Sequence, residues 1–392
     1  MTLIQRIKNI RLNGKIALYR LLPLRQNKII FWANSFKQYG CSPKYITEYL
    51  LREYPDRFDI VWVFEDGVQI PDELDKKIRA VRYFSYAYLR ELHTAKFVVC
   101  NMRTGPAYLW KKRKGQIYIQ TWHSSLRLKK IEGDAAEHLP DVYIQHAKED
   151  SKRIDFLLSG CRFSTEIFKR AFWYNGIILE TGTPRCDILV KNNSETRKKV
   201  FQHFRIPESS RLVLYAPTFR SSKTSDYLGM DFARLKKSLE GDQAQWTIGA
   251  RLHPNILHTV DADGAVAMSK YSDMQELLVA ADLLITDYSS CMFDMAIARK
   301  PCVLYAPDFD EYVAKERGLY FDLRELPFPI AETMDELREA IRNFDLEEYL
   351  LQVEAFLDRI GSFEDGNAAK RVCEFICQQT AKKEAVDAGF VS

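Results

Sequence analysis

A histidine and two serines, His123, Ser124 and Ser125, form a group of side chains that could move a proton or bind an anion. They follow residues 115–119, a short apolar and β-branched run that predicts a buried strand. The charged residues that come next are all basic until Glu132. Ligands of open α/β sheets bind where strands end, so this segment is a candidate site. A histidine in the core or at a helix cap would fit the same pattern.

Three further polar clusters follow predicted strands in the second half of the chain. The cluster after the strand at 211–216 contains Thr218 and Arg220, a hydroxyl and a guanidinium that suit phosphate binding. The next cluster contains His253, which precedes a proline and could also be a structural loop residue. Four such clusters in one chain favour a shared binding cleft over four unrelated loops.

The last cluster, Asp287, Ser289 and Ser290, precedes a predicted helix. Backbone N–H groups and the macrodipole at a helix start favour an anion, so the two serines are candidate phosphate ligands. Capping of the helix by Asp287 or Ser289 is the alternative. Asp261 and Asp263 superficially match the D-x-D pattern of metal-dependent sugar transferases, but they lie in a polar, glycine-containing loop. We interpret them as a solvated turn and infer neither a metal nor a cofactor.

The elements that must position these residues form two similar α/β halves. Apolar runs predict strands at 28–33, 58–64, 96–100, 115–119, 154–158 and 176–180, and then at 211–216, 245–250, 265–268, 283–286 and 301–305. Helical segments alternate with strands, which predicts doubly wound parallel sheets. The polar stretch near 190–208 is the predicted boundary. Two such halves enclose a cleft, and ligands prefer clefts at domain interfaces.

The amino-acid composition limits the classes of protein to which this chain can belong. The 392 residues are 46% hydrophobic, which is ample for real cores, and the net charge of +4 gives no reason to expect a nucleic-acid partner. Eight scattered cysteines without a C-x-x-C pair predict buried, reduced thiols in the cytoplasm. No apolar run reaches the roughly 18 residues that a transmembrane helix needs, and no signal-peptide pattern is present.

Residues 1–26 predict a basic amphipathic segment. Leu3, Ile4, Ile7 and Ile10 recur at helical spacing with basic residues between them. Such a helix suits an anionic membrane surface, so we expect peripheral attachment at the cytoplasmic face of the membrane. A helix that packs on the protein and exposes a solvated basic face is the alternative.

Taken in order, these segments resemble the CDP-glycerol glycerophosphotransferase family, the teichoic-acid primases and polymerases. Residues 120–123 and the lysines that follow are similar to the family's T-W-H-G-T segment and its lysine pair. The resemblance continues through 164–168, 181–187, 215–220, 251–254, 285–290, 293–294 and 365–369. It spans about residues 28–380, so it is far more specific than one motif. The chain departs from the family at Ser124-Ser125, where Gly-Thr is usual.

The resemblance implies a GT-B architecture, in which two Rossmann-like domains face each other and the last helix returns to the first domain. We therefore expect a membrane-associating segment at 1–26, an acceptor domain at 27–190, a nucleotide-donor domain at 191–360 and a crossing helix at 361–392. The resemblance also implies CDP-glycerol, or a related CDP-polyol, as the donor. The implied acceptor is a lipid-linked saccharide or polyol phosphate of teichoic-acid or capsule-type polymer synthesis.

Release of CMP from CDP-glycerol requires a hydroxyl to attack the β-phosphorus, with a base near the hydroxyl and cations or N–H groups near the phosphate. We expect His123 to be the base and His253 to bind the donor diphosphate, although these roles could be exchanged. Asp287 would orient the phosphate ligands or contact the glycerol. The expected donor-phosphate ligands are Thr218, Arg220, Ser289, Ser290 and Arg185, and the expected acceptor-side residues are Ser124, Ser125, Lys129 and Lys130.

Three alternatives remain open from the sequence. The donor could be CDP-ribitol, or the chain could be a GT-B glycosyltransferase that uses a nucleotide sugar. The chain could also be a non-catalytic assembly protein that keeps the fold, although the presence of both His123 and His253 disfavours that reading.

Overall fold

A computed structural model describes residues 3–71, 74–105, 109–191, 193–218, 230–240, 245–252, 264–315 and 318–387. Four residues named above, Arg220, His253, Asp261 and Asp263, lie outside these ranges. The described residues form two β-sheets in which every strand pair is parallel, with helices packed around them.

The first sheet has seven strands in the order β3-β2-β1-β4-β5-β6-β7. They are β1 Arg25–Trp32, β2 Asp59–Phe64, β3 Ile78–Arg82, β4 Ala95–Cys100, β5 Ile117–Gln120, β6 Phe156–Leu158 and β7 Ile177–Leu179. The helices of this half are α1 Leu3–Leu21, α2 Cys41–Glu53, α3 Tyr86–Thr94, α4 Asp141–Ser151, α5 Arg162–Ala171 and α6 Asp187–Lys191.

The second sheet has six strands in the order β10-β9-β8-β11-β12-β13. They are β8 Arg211–Tyr215, β9 Trp246–Ala250, β10 Val266–Ala267, β11 Leu283–Thr286, β12 Cys302–Tyr305 and β13 Ile330–Ala331. The remaining helices are α7 Ser194–Phe204, α8 Phe232–Leu239, α9 Met274–Ala280, α10 Cys291–Ile297, α11 Phe309–Lys315, α12 Met334–Arg342, α13 Leu346–Ile360 and α14 Ala368–Asp387.

Both sheets share the strand order of doubly wound nucleotide-binding folds, with the order reversing beside the first strand of each half. The reversal lies between β1 and β4 in the first sheet and between β8 and β11 in the second. Loops leave the sheet in opposite directions at such a point and leave a crevice beyond the strand ends. The fold class predicted from the sequence is therefore confirmed.

The apolar strand runs arise because helices cover both faces of the first sheet. Ile29 and Phe31 of β1 pack into the core on one face, and Ile30 and Trp32 pack into the core on the other. All four are buried. The sequence of a strand that is buried on both faces is a continuous hydrophobic run, because neither face alternates with polar residues.

The last helix returns to the first sheet. Val372, Cys373 and Ile376 of α14 are buried in the same core as Ile29 and Phe31. The carboxylate of Asp187 accepts hydrogen bonds from the first two backbone N–H groups of α14, at 2.9 and 2.8 Å. The helix start is thereby fixed, and the crossing helix that the family resemblance implied is present.

Three local predictions differ from the structure. The stretch near 190–208, predicted as the boundary between the halves, contains the helix α7 Ser194–Phe204, because Val200 and Phe201 bury one face of that helix. The predicted strand at 265–268 shortens to two residues. The edge strands β3 and β13 were not predicted, since β3 is polar and β13 has only two residues. The domain limits at 26, 190 and 360 stay predictions.

Helix α1 packs on the first half of the molecule by one face and is exposed on the other. Ile16 is buried, and Leu12 and Tyr19 pack beside it. Leu18 and Leu21 are exposed. In the described ranges, no helix is both long enough and apolar enough to cross a bilayer. All eight cysteines are free and buried, as the sequence predicted.

Candidate active site

Polar residues from the ends of both sheets line one cleft, with a volume of about 620 Å3. This central cleft has the size expected for a small-molecule site. Its walls include seven of the predicted site residues, namely His123, Ser124, Lys129, Arg185, Thr218, Ser289 and Ser290. The two halves of the chain therefore contribute to a single site.

Trp122 projects His123 into the central cleft. The Trp122 backbone has φ +51°, a left-handed conformation that costs about 1–2 kcal/mol for a residue with a Cβ. The Trp122 ring packs edge-on against Phe172 at 4.8 Å, and the side-chain oxygen of Gln120 accepts the backbone N–H of Trp122 at 2.9 Å. These contacts hold the strained turn, and the turn points the next residue out of the core.

A carbonyl oxygen sets the tautomer of His123. The Nδ1 atom lies 3.2 Å from the backbone oxygen of Asn101, which can only accept, so Nδ1 carries the hydrogen. In the neutral ring Nε2 then carries the basic lone pair. Asn101 is itself fixed by paired hydrogen bonds with Asn34, at 2.8 and 2.9 Å, where β1 and β4 end.

Asp287 joins the two loops at the strand reversal of the second sheet. Its carboxylate accepts the backbone N–H of Thr218 at 2.8 and 3.0 Å and that of Tyr288 at 2.6 Å. The loop after β8 is thereby held beside the loop after β11. The role expected for Asp287 at the donor site stays a prediction.

Ser289 and Ser290 lie where α10 begins, as predicted. Ser290 occupies the N-cap position of α10 without a side-chain capping bond, and the hydroxyl of Ser289 accepts the N–H of Cys291 at 3.4 Å. All three residues line the central cleft. The two serines and the first residue of α10 thus line the cleft from the second half of the molecule, whereas His123 lines it from the first.

Arg185 links the two walls. Its guanidinium donates to the backbone oxygen of His123 and, at 2.6 Å, to the carboxylate of Asp294 on α10. Gln275 also donates to Asp294, at 3.1 Å. These bonds position the loop of His123 against the second half of the molecule. Phosphate binding by Arg185 stays a prediction.

Two further contacts hold the halves together beside the cleft. Leu128 and Lys130 pair with residues 318–320, through backbone hydrogen bonds of 2.8 and 3.0 Å. Lys44 of α2 forms buried ion pairs with Asp273 at 2.6 Å and Glu276 at 2.7 Å. These contacts fix the two halves relative to each other beside the cleft.

The structure separates the four residues predicted for the acceptor side. Ser124 and Lys129 line the central cleft, whereas Ser125 and Lys130 are not among its lining residues in the described part of the chain. The hydroxyl of Ser125 is buried against Glu364 instead.

Glu364 is a buried carboxyl group behind the loop that carries His123. Both of its oxygens lie 3.0 Å from the backbone N–H of Thr183, and Ser125 donates to it. Burial raises the pKa of Glu364 to about 7, although these hydrogen bonds oppose the shift. Gly160 lies so close that a Cβ there would overlap the hydroxyl of Ser125.

Sequence reasoning did not single out several lining residues, among them Arg127, Arg251, Ser269 and Tyr288. Arg251 belongs to the cluster chosen for His253, so that cluster pointed to the right loop. Its guanidinium donates to the carbonyl of Tyr271 at 2.8 Å, and burial lowers its pKa. Within the described ranges, no three His, Cys, Asp or Glu side chains form a group that could hold a metal ion.

Two facing parallel sheets, a cleft between their strand ends and a returning C-terminal helix define a GT-B-like fold. The profile of the CDP-Glycerol:Poly(glycerophosphate) glycerophosphotransferase family matches residues 15–378. The chain belongs to this family.

Individual relatives agree with the family. A teichoic acid poly(glycerol phosphate) polymerase of Staphylococcus epidermidis is 34% identical over 95% of this chain, which spans only 54% of that protein. A polymerase of the same name from Bacillus spizizenii is 33% identical, over 90% of this chain and 93% of the relative. A solved structure of the wall teichoic acid polymerase TagF superposes with a TM-score of 0.85 at 33% identity, over 97% of each chain.

The raised pKa of Glu364 predicts a pH dependence of stability. Between about pH 4.5 and 7 the folded protein holds a proton on Glu364 that the unfolded chain releases, so the free energy of unfolding falls as the pH rises. Glu364 contributes up to about 3 kcal/mol to this fall. Urea titrations of Glu364→Gln should therefore show a flatter pH profile, whereas the exposed control Glu347→Gln should follow the wild type. Parallel profiles for Glu364→Gln and the wild type would contradict this assignment.

Proposed function

We propose that this protein transfers glycerol phosphate from CDP-glycerol to a hydroxyl of a lipid-linked acceptor and releases CMP. The product would be a teichoic acid or a capsule-type polymer. The observation that carries the proposal is the central cleft, where His123 of the first half faces Thr218, Ser289 and Ser290 of the second. Family membership supports the choice of donor.

In the proposed reaction, His123 acts as the general base. Its Nε2 atom takes the proton of the acceptor hydroxyl while the hydroxyl oxygen attacks the β-phosphorus of CDP-glycerol. The bond from that phosphorus to the bridging oxygen breaks, and CMP leaves with the electron pair. The carbonyl of Asn101 at Nδ1 stabilises the imidazolium that forms, because it accepts a hydrogen bond from a charged donor.

The second half of the molecule supplies the phosphate site in this proposal. Hydroxyls of Thr218, Ser289 and Ser290 and the start of α10 contact the donor diphosphate, and Asp287 holds their loops together. Arg220 and His253 complete this site as proposed phosphate ligands. Preorganised donors of this kind stabilise the charge that develops as CMP leaves.

A donor panel tests the function. We expect CMP release and a product larger by one or more glycerol phosphate units with CDP-glycerol and a lipid-linked acceptor. CDP-ribitol and several nucleotide sugars serve as competing donors, scored by product mass. A sugar-sized increment would identify a glycosyltransferase instead, and no product with any donor would indicate a non-catalytic role.

The two proposed histidines make a separate prediction. His123→Asn removes the base and should lower kcat by about 100-fold to 10,000-fold, as expected for loss of a general base. His253→Asn should lower it as well, by removing a contact to the diphosphate. His138→Asn is the control, since His138 is half exposed and does not line the cleft. Turnover of His123→Asn within threefold of the wild type would exclude His123 as the base.

We also propose that α1 attaches the protein to the cytoplasmic face of the membrane. Arg11 and Lys15 are exposed on α1, as are Leu18 and Leu21. A helix with exposed basic and apolar side chains suits the surface of an anionic bilayer. This position would bring a lipid-linked acceptor to the cleft.

Vesicle sedimentation tests this attachment. Each of Arg11→Gln and Lys15→Gln should weaken binding to phosphatidylglycerol vesicles about fivefold, because a surface cation contributes about 1 kcal/mol. Leu18→Gln with Leu21→Gln should weaken it further by removing the apolar contact. Leu351→Gln is the control, since Leu351 is exposed on α13. Unchanged binding in all the α1 variants would exclude the helix as the attachment site.

A further inference from the structure

Arg127 is a buried arginine in the wall of the central cleft. Only 3% of its surface is exposed, although it is one of the lining residues. Its Nη2 atom donates to the backbone oxygen of Ser124 at 3.4 Å, a long bond. The Nε and Nη1 atoms have no hydrogen-bond partner among the described residues.

Two other arginines with largely buried side chains, Arg103 and Arg185, are neutralised by carboxylates. Arg103 pairs with Glu132 at 3.0 Å, and Arg185 pairs with Asp294 at 2.6 Å. Arg127 forms no ion pair in the described ranges, and its charge is met only by the ring of Phe168, 4.5 Å from the guanidinium carbon. Burial lowers the pKa of Arg127 to about 10, so it remains a cation at neutral pH.

A buried charge of this kind reduces the stability of the free protein. Removing a charged group from water costs several kcal/mol unless hydrogen bonds and a counter-ion replace the water. A cation–π contact replaces only about 1–2 kcal/mol of that loss. A function that uses the uncompensated charge would account for its retention in the wall of a binding cleft.

We infer that Arg127 is a phosphate-binding residue of the central cleft, with its Nε and Nη1 atoms as the donors for an oxyanion of the substrate. This inference rests on the proposed glycerophosphotransferase function and extends its phosphate site to the first half of the molecule. Both nitrogens are covered, so the guanidinium must slide across Phe168 to meet the anion. The long bond to Ser124 restrains that movement only weakly.

The anion could come from either substrate. It could be the diphosphate of the donor or the phosphodiester at the end of an acceptor that already carries glycerol phosphate. Arg127 lies in the same wall as His123 and Ser124, opposite Ser289 and Ser290. An acceptor phosphodiester lies one glycerol unit from the attacking hydroxyl, so a cation close to the base is well placed to bind it.

Kinetics with two acceptors distinguish these sources. Arg127→Gln and Arg127→Lys are compared with the wild type, using CDP-glycerol and acceptors that end either in glycerol phosphate or in an uncharged sugar. Arg324→Gln is the matched control, because Arg324 also stacks on a phenylalanine, Phe309, but does not line the cleft. Loss of one charged hydrogen bond should raise the affected KM about 10-fold to 100-fold, and Arg127→Lys should recover part of it.

A rise confined to the KM of the phosphate-ended acceptor identifies the acceptor phosphodiester, and a rise in the KM of CDP-glycerol identifies the donor. Either result supports the subsite. Equal losses with both acceptors and an unchanged donor KM would overturn it.

Thermal unfolding of the free proteins adds a second criterion: Arg127→Gln should be at least as stable as the wild type, because it removes a buried unpaired charge. A lower Tm without any KM change would assign Arg127 a structural role.

Calorimetry separates failure of this inference from failure of the proposed function. Glycerophosphoglycerol and CMP are titrated into the wild type and Arg127→Gln, and neither measurement needs turnover. Weaker binding of either probe to the variant supports the subsite even if the donor panel yields no product. Equal affinities of both proteins for both probes would overturn the subsite while leaving the donor panel to decide the reaction.

Discussion

The guanidinium of Arg185 joins the two halves of the molecule at the point where chemistry is proposed. One side of it donates to the carbonyl of His123 and the other to the carboxylate of Asp294. Because the cation is buried, losing the carboxylate of Asp294 would leave it without a counter-ion, and the cost would be several kcal/mol. This link sets the position of His123 relative to α10, together with the backbone pairing of Leu128 and Lys130 with residues 318–320 and the ion pairs of Lys44.

The two sheets then divide the work of the site. Their shared strand order places a crevice beyond β1 and β4 in one half and beyond β8 and β11 in the other. The first crevice holds His123, whose tautomer is fixed by Asn101, so its side chain can accept and release a proton. The second holds hydroxyls and a helix start, with Asp287 tying its loops together, and so can hold an anion. Phosphoryl transfer needs both abilities at one place.

Buried ionisable groups in the wall of the cleft and directly behind it lower the stability of the protein. Glu364 is held where its charge is disfavoured, and Arg127 keeps a charge without a carboxylate partner. Trp122 adds a strained backbone conformation beside them. Such features persist when the surrounding packing determines them, and they cluster at sites of function. Here all three belong to the loop that carries His123 or contact that loop directly.

The amino-acid sequence determined the parts of this protein that depend on neighbouring residues. Apolar runs gave most of the strands, and the polar residues directly after them, including His123, Thr218, Ser289 and Ser290, do meet in one cleft, since the carboxyl ends of parallel strands lie at one edge. The sequence also identified the family through motifs kept in order. It missed the edge strands β3 and β13, because a polar or very short strand lacks a hydrophobic pattern.

Only the tertiary structure decided which side chains of these segments face the cleft and which partners they have. Ser124 and Ser125 are adjacent and chemically alike, yet one lines the cleft and the other binds Glu364. Thr183 and Glu364 are 181 residues apart, and Arg185 and Asp294 are 109 apart. Whether Arg127 forms an ion pair with a carboxylate also depends on residues that are far from it in the sequence. Local sequence patterns do not predict such pairings, because they form only when the two halves and the returning C-terminal segment pack together.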